Sequence, residues 1–204
     1  LLSLIHDAGW PIWLLLATSI LGLALIVDRL LALRRSQVMP ANLFQQVMEM
    51  LRHRQETPDA LTRMEDSSPF GRILAETIRQ SELPHEERRL AIEDTGRVIA
   101  HRLNRSLAAL GTVAVVAPLL GLFGTVVGMI DIFASYAPGG GDPAQLARGI
   151  SVALYNTGFG ILIAVPALIF HRHFRTRVDD YMHEMEHASA RLLRALATRA
   201  RPAR

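Results

Sequence analysis

Apolar residues along this chain gather into three long runs, and polar residues are confined to the stretches between them. From Trp10 to Val27, Leu107 to Ile130 and Ile150 to Phe170 there is no acidic, basic or histidine residue. A bilayer core about 30 Å thick needs roughly 20 apolar residues of helix, so each run is long enough to span it. Outside the runs the pattern is helical and punctuated. Pro40 precedes a helix over about 41–54, Thr57-Pro58-Asp59 starts a short one, and Ser67-Ser68-Pro69 starts another reaching about Ser81. Pro84 followed by Glu86 and Glu87 suits the positive end of a helix dipole. Nothing interrupts the helical pattern from there until Pro118, inside the second run. A helix over 84–133 would be about 75 Å long, more than twice the bilayer core. The third run likewise continues past its apolar end through Val178, Tyr181, Met185, Ala188, Leu192 and Leu196 at helical spacing. The predicted fold is an all-α integral membrane protein with three transmembrane helices, the second and third extended far beyond the membrane. A single chain cannot bury the apolar stripes of such extensions, which predicts self-association.

Charge orients this arrangement. Residues 1–27 carry −1, residues 28–106 carry +1 from 13 Arg and 12 acids, residues 107–170 carry −1, and residues 171–204 carry +4 within the whole-chain +3. Arginines crowd the membrane ends on one side only: Arg29, Arg34 and Arg35 after the first span, Arg102 and Arg105 before the second, Arg172, Arg175 and Arg177 after the third. Arg148 stands alone on the other side. By the positive-inside rule the N-terminus is outside, 28–106 and 171–204 are cytoplasmic, and 134–149 is a short outer loop. Trp10 and Trp13 then fall at the outer interface. The apolar Leu1–Ile5 stretch is too short for the core of a signal peptide. Basic and acidic residues interleave through 28–106, the pattern of a solvated helical surface rather than of a nucleic-acid patch.

Composition removes several chemistries. There is no cysteine, hence no disulfide, iron–sulfur cluster, thiolate nucleophile or Cys-bound zinc. All 22 Lys-plus-Arg residues are arginine, which excludes Schiff-base and P-loop lysine chemistry. One motif points toward metal: His183-Glu184-Met185-Glu186-His187 satisfies H-E-x-x-H, whose histidines share a helix face. A catalytic zinc needs a third protein ligand. No Asp, Glu, His or Cys follows His187, so the segment reads as a solvated amphipathic helix. His171-Arg172-His173 reads as an interfacial basic cluster.

Small and hydroxylated residues mark the second and third spans. Gly124 and Gly128 form a GxxxG pair, with Gly121 on nearly the same face and Pro118 one turn earlier. The third span carries Ser151, Tyr155, Asn156, Thr157, Gly158, Gly160 and Pro166. Lipid tails give no hydrophobic drive between helices, so small residues that let backbones approach are expected to hold the spans together. Pro118 frees a carbonyl that protein or a water-lined cavity must satisfy. Counted along their helices, Thr125 and Thr157 both lie roughly 4 to 8 Å on the outer side of the membrane centre. They either line a polar path or bond their own i−4 carbonyls. No Asp, Glu, His, Lys or Arg lies within any span, so the chain alone lacks the usual proton carrier at mid-membrane.

These residues resemble the ExbB/TolQ/MotA family of proton-channel subunits. The resemblance covers nearly the whole chain and is strongest over Ala117–Met129, reading APLLGLFGTVVGM, and over Ile150–Gly160, reading ISVALYNTGFG, continuing to Ala164-Val165-Pro166-Ala167. Three spans with a large loop after the first are similar to ExbB and TolQ rather than to four-span MotA, and the Asp28-Arg29-Leu30 junction is more like ExbB. The resemblance implies a homopentamer in the bacterial inner membrane, its second and third spans lining a pore that holds an ExbD-like single-span partner. The partner's aspartate would carry the proton, and Thr125 and Thr157 would face it, with Tyr155 and Asn156 beside the pathway. Motion would pass to a TonB-like transducer energising transport across the outer membrane, or to a TolA-like one in envelope maintenance. It implies no cofactor beyond the coupling proton, no covalent catalysis, and phospholipid rather than nucleic acid as surroundings. One position departs from the family: many members have glutamate five residues before the third-span threonine, and here it is Val152. The proton entry route, and sodium as an alternative coupling ion, stay open on that account.

Overall fold

The computed structural model describes residues 10–135 and 143–200, and no strand occurs among them. The expected outer segment over 1–9 and the middle of the expected outer loop, 136–142, lie outside the described residues. Seven helices follow in order: α1 (Pro11–Ala32), α2 (Arg35–Val38), α3 (Leu43–Arg52), α4 (Pro58–Ser67), α5 (Pro69–Arg79), α6 (His85–Ser135) and α7 (Pro143–Ala200). α6 is continuous over 51 residues with Pro118 inside it, and α7 over 58 with Pro166 inside it. Helix begins at Pro143, within the stretch expected to be loop up to residue 149. Proline at the first helical position explains the start: its fixed φ suits the helix and its missing N–H would have had no intrahelical partner there.

The chain divides into two compact units, residues 1–29 with 106–173 and residues 30–105 with 174–204. The first holds the three apolar runs. α1, α6 and α7 are each long and apolar enough to cross a membrane, yet only 11, 22 and 28% of their most apolar windows are buried. A water-soluble fold would cover such surface. Here Trp13, Ile20, Leu23, Val115, Leu119, Ile130, Leu162 and Ile169 stand exposed. That much exposed apolar surface is stable against lipid tails or other membrane helices, and the chain is a membrane protein.

The second unit is a helical bundle with an ordinary core. Leu33, Val38, Val47, Leu74, Phe174, Val178, Met185 and Leu192 are almost wholly buried. Turn chemistry delimits its short helices. Thr57 accepts a hydrogen bond from the Ala60 N–H at 3.3 Å and Ser68 from the Gly71 N–H at 3.0 Å, each capping a helix with proline in its first turn. Several buried polar groups find partners, while Glu56 Oε2 has no hydrogen bond among the described residues. The Tyr181 hydroxyl donates to the Leu33 carbonyl at 2.9 Å, and the Thr77 and Ser189 hydroxyls share a bond of 2.8 Å. Arg199 donates to Glu56 at 2.7 Å, tying the last turns of α7 to the loop before α4. Burial raises the Glu56 pKa, but hydrogen bonds from its own backbone N–H and from Arg199, with the charges of Arg199 and Arg54, outweigh it and hold the carboxyl below its ordinary value.

Candidate functional site

The site grows from a close approach between α6 and α7 in the first unit. A Cβ added to Gly121 would lie 2.7 Å from the Asn156 carbonyl oxygen and 3.0 Å from the Thr157 Cα, and one added to Gly160 would lie 2.6 Å from the Ala117 oxygen. Both obstacles are backbone, so any larger residue would push the helices apart. Gly124 faces the Asn156 side chain, where a Cβ would sit 2.8 Å from its Cβ and Cγ. A Cβ added to Gly128 would lie 3.3 Å from the Ala153 Cβ, and Gly149 faces Ile132. These pairs fix one antiparallel register along both helices. In it residue 125 lies beside 155–156, which brings Thr157 within about 3 Å of Thr125 along the axis at 1.5 Å per residue.

Register also decides which way the threonines face. At about 100° per residue, Thr125 is rotated some 60° from the contact line on α6, and Thr157 some 60° from the contact line on α7. Because the helices are antiparallel, the two rotations point to the same side of the pair. Exposed Leu122, Leu154 and Ile161 share that side. The half-buried hydroxyls are therefore polar points on an otherwise apolar open face. α1 packs on the opposite side: Gly22 meets Val113, Trp10 meets the Phe123 ring edge-on at 5.8 Å, and Phe159, Ile163 and Pro166 line an apolar cavity of about 370 Å³ with Ile12, Leu15 and Ile26.

The two hydroxyls are not equivalent. Thr125 donates to the Leu122 carbonyl at 2.7 Å, a local bond within its own helix that goes to the residue three before it rather than to the expected i−4 carbonyl. Thr157 makes no side-chain hydrogen bond among the described residues, which leaves its hydroxyl available on the open face.

Other residues grouped with them by sequence fall elsewhere. Asn156 is 1% exposed, held in the helix contact by Gly124, and does not share the threonine face. Its side chain is four residues from Gly160 and three from Ala153, so helical spacing alone assigns it to the small-residue face. Tyr155 is exposed, on the back of α7 and away from both threonines. Gly158 has open space around it and takes no part in packing within the chain. Pro118 lies on α6 one heptad before Thr125, and Pro166 is in the α1 cavity. Val152 is half-buried, so no carboxylate stands near the threonines from that position. Sequence reasoning missed Gly111, against which the His171 ring packs, with a Cβ there 3.0 Å from His171 Nε2.

The H-E-x-x-H segment belongs to the second unit. There Glu184, the residue that would activate a metal-bound water, receives two hydrogen bonds from Arg35 at 2.6 and 3.1 Å. No group of three His, Cys, Asp or Glu able to hold a metal ion occurs among the described residues.

A sequence profile of the MotA/TolQ/ExbB proton channel family matches residues 65–187. The putative biopolymer transport protein ExbB-like 3 of Synechocystis sp. is 30% identical over 167 residues, 79% of either chain. The biopolymer transport protein exbB1 of Vibrio cholerae is 42% identical over 89 residues, covering 43% of this chain and 39% of its own length. The Tol-Pal system protein TolQ of Pseudomonas aeruginosa is 38% identical over 79 residues, 38% of this chain and 34% of that one.

Proposed function

Since this chain belongs to the MotA/TolQ/ExbB proton channel family, we propose that it is the ExbB-like subunit of a proton-driven motor in the bacterial inner membrane. Five copies surround a central pore lined by the spanning parts of α6 and α7, with α1 outermost. The N-terminus is periplasmic, and the second unit and C-terminus are cytoplasmic, in keeping with the arginines beside the inner membrane ends. An ExbD-like helix bearing an aspartate occupies the pore and carries the proton past Thr125 and Thr157. A TonB-like protein takes up the resulting motion.

The observation that carries this reading is the convergence of two level hydroxyls on one open apolar face, opposite the side covered by α1. Such a face suits a neighbouring apolar helix with one polar group at the matching height. The absence of any carboxylate within the apolar runs fits a carrier supplied by the partner, and Val152 makes that dependence complete. Asn156 then serves as a positioning residue that sets the register between the helices. TolQ-type coupling is the second reading, supported by the TolQ relative.

Native mass tests the assembly. A chain of 22.6 kDa purified in detergent should form a 113 kDa pentamer, gaining mass when co-purified with the single-span partner. A monomer indifferent to the partner would refute the reading.

A further inference from the structure

We infer that His171 is the proton acceptor at the cytoplasmic end of the path that begins at Thr125 and Thr157. The inference rests on the channel reading above. Three observations bring it out. Thr157, Ala164 and His171 are spaced by seven on α7, and Thr125, Pro118 and Gly111 by seven on α6. Each series keeps to one face of its helix, and the register sets the two series side by side. The path along them from the threonines to His171 is about 21 Å.

The second observation lies halfway. Pro118 has no N–H, so the Ala114 carbonyl cannot receive its usual bond from four residues on. That oxygen points along α6 toward Pro118, about midway between the threonines and His171. In a membrane interior such a group must be met by protein or water. It marks a polar station in an otherwise apolar wall, beside the small side chain of Ala164.

The third is the setting of the ring. His171 is half-buried and packs on Gly111, where a Cβ would come within 3.0 Å of Nε2 and 3.1 Å of Cδ2. The glycine leaves room for an imidazole at the inner end of the helix pair. The facing wall of α6 from Leu107 to Val115 carries no titratable group. Arg172 and His173 follow His171 on α7, and the Asp28–Arg29 ion pair at 2.7 Å ends the spanning part of α1. Imidazole is the side chain whose ordinary titration falls between pH 5 and 8. The neutral ring takes a proton from path water and releases one to cytoplasmic water. It returns to neutral with one proton passed and no other bond changed.

The test is proton uptake into pyranine-loaded vesicles of phosphatidylethanolamine and phosphatidylglycerol holding the complex with its single-span partner, measured across internal pH 5.5 to 8.5. In His171→Gln, which keeps polarity and approximate size, native mass should hold. Flux should fall about a hundredfold or more, within the range usual for loss of an acid–base group, and its inflection near neutral pH should vanish. His171→Glu should recover part of the flux with the inflection moved to lower pH. A His171→Gln complex with wild-type flux and pH profile overturns the inference, as does loss of assembly in both variants, which would assign the ring to packing. If Thr157→Val stops the flux while His171→Gln does not, this inference alone fails. A wild-type complex that conducts nothing refutes the channel reading itself.

Discussion

Thr157→Val is expected to leave the complex assembled and stop energised transport in cells that depend on it. The substitution keeps volume and shape within the third span and removes one hydroxyl. That hydroxyl makes no hydrogen bond among the described residues, so its loss costs the fold little. On the proposed reading, what it removes is a polar partner for the group that would carry the proton past an apolar wall. Leaving a buried charged or polar group without a partner costs roughly 3 kcal/mol, about a hundredfold in rate if it falls on the transport step. Thr125→Val should act in the same direction but more weakly, because the Thr125 hydroxyl is already committed to the Leu122 carbonyl at 2.7 Å. Transport assays in a strain lacking the native gene, with blue-native gels to confirm assembly, would measure both. Full activity in Thr157→Val would remove that residue from the mechanism.

Gly121→Ala and Gly160→Ala should damage the membrane unit itself. Each added methyl meets backbone, the Asn156 oxygen at 2.7 Å in one case and the Ala117 oxygen at 2.6 Å in the other, and backbone in a continuous helix cannot turn aside. Overpacking of this kind costs about 1 to 3 kcal/mol. Separation of the helices would also move Thr125 and Thr157 apart, so on the proposed reading transport should fall with stability. Gly158→Ala is the internal comparison. Nothing lies within 4 Å of its added methyl in the chain, so thermal unfolding of the chain should be almost unchanged. A change in native mass for Gly158→Ala would then place a neighbouring copy against that side of α7. Thermal unfolding in detergent ranks the three variants, and equal stability of all three would contradict the close approach.

Different parts of this structure were legible in the sequence to different degrees, for physical reasons. The three spans were plain because an uncharged run long enough to cross a bilayer has few other uses. The starts of α4 and α5 were equally plain, since Thr57-Pro58 and Ser68-Pro69 combine a capping hydroxyl with a proline in the first turn. The early start of α7 at Pro143 was missed because glycine-rich 139–141 and the proline itself read as loop. The left-handed turn at Arg54, with φ 55°, ends α3 at a residue type that rarely signals it. In the site, the glycines at 121, 124 and 128 announced helix contact by spacing alone. The placement of Asn156 and Tyr155 did not follow from their polarity. Adjacent residues on a helix point about 100° apart, so Tyr155, Asn156 and Thr157 face three directions, and the contact register decides which one meets the open face. His171 looked like part of an interfacial charge cluster until its ring was found against Gly111.

Proton flux through the assembled complex tests the central claim most directly. Liposomes holding this chain with the proposed single-span partner, under a sustained pH gradient, should take up protons at a rate well above liposomes holding the chain alone. Equal and negligible uptake in both, with the pentamer and partner demonstrably present, would contradict the account and leave a helical scaffold that does not conduct.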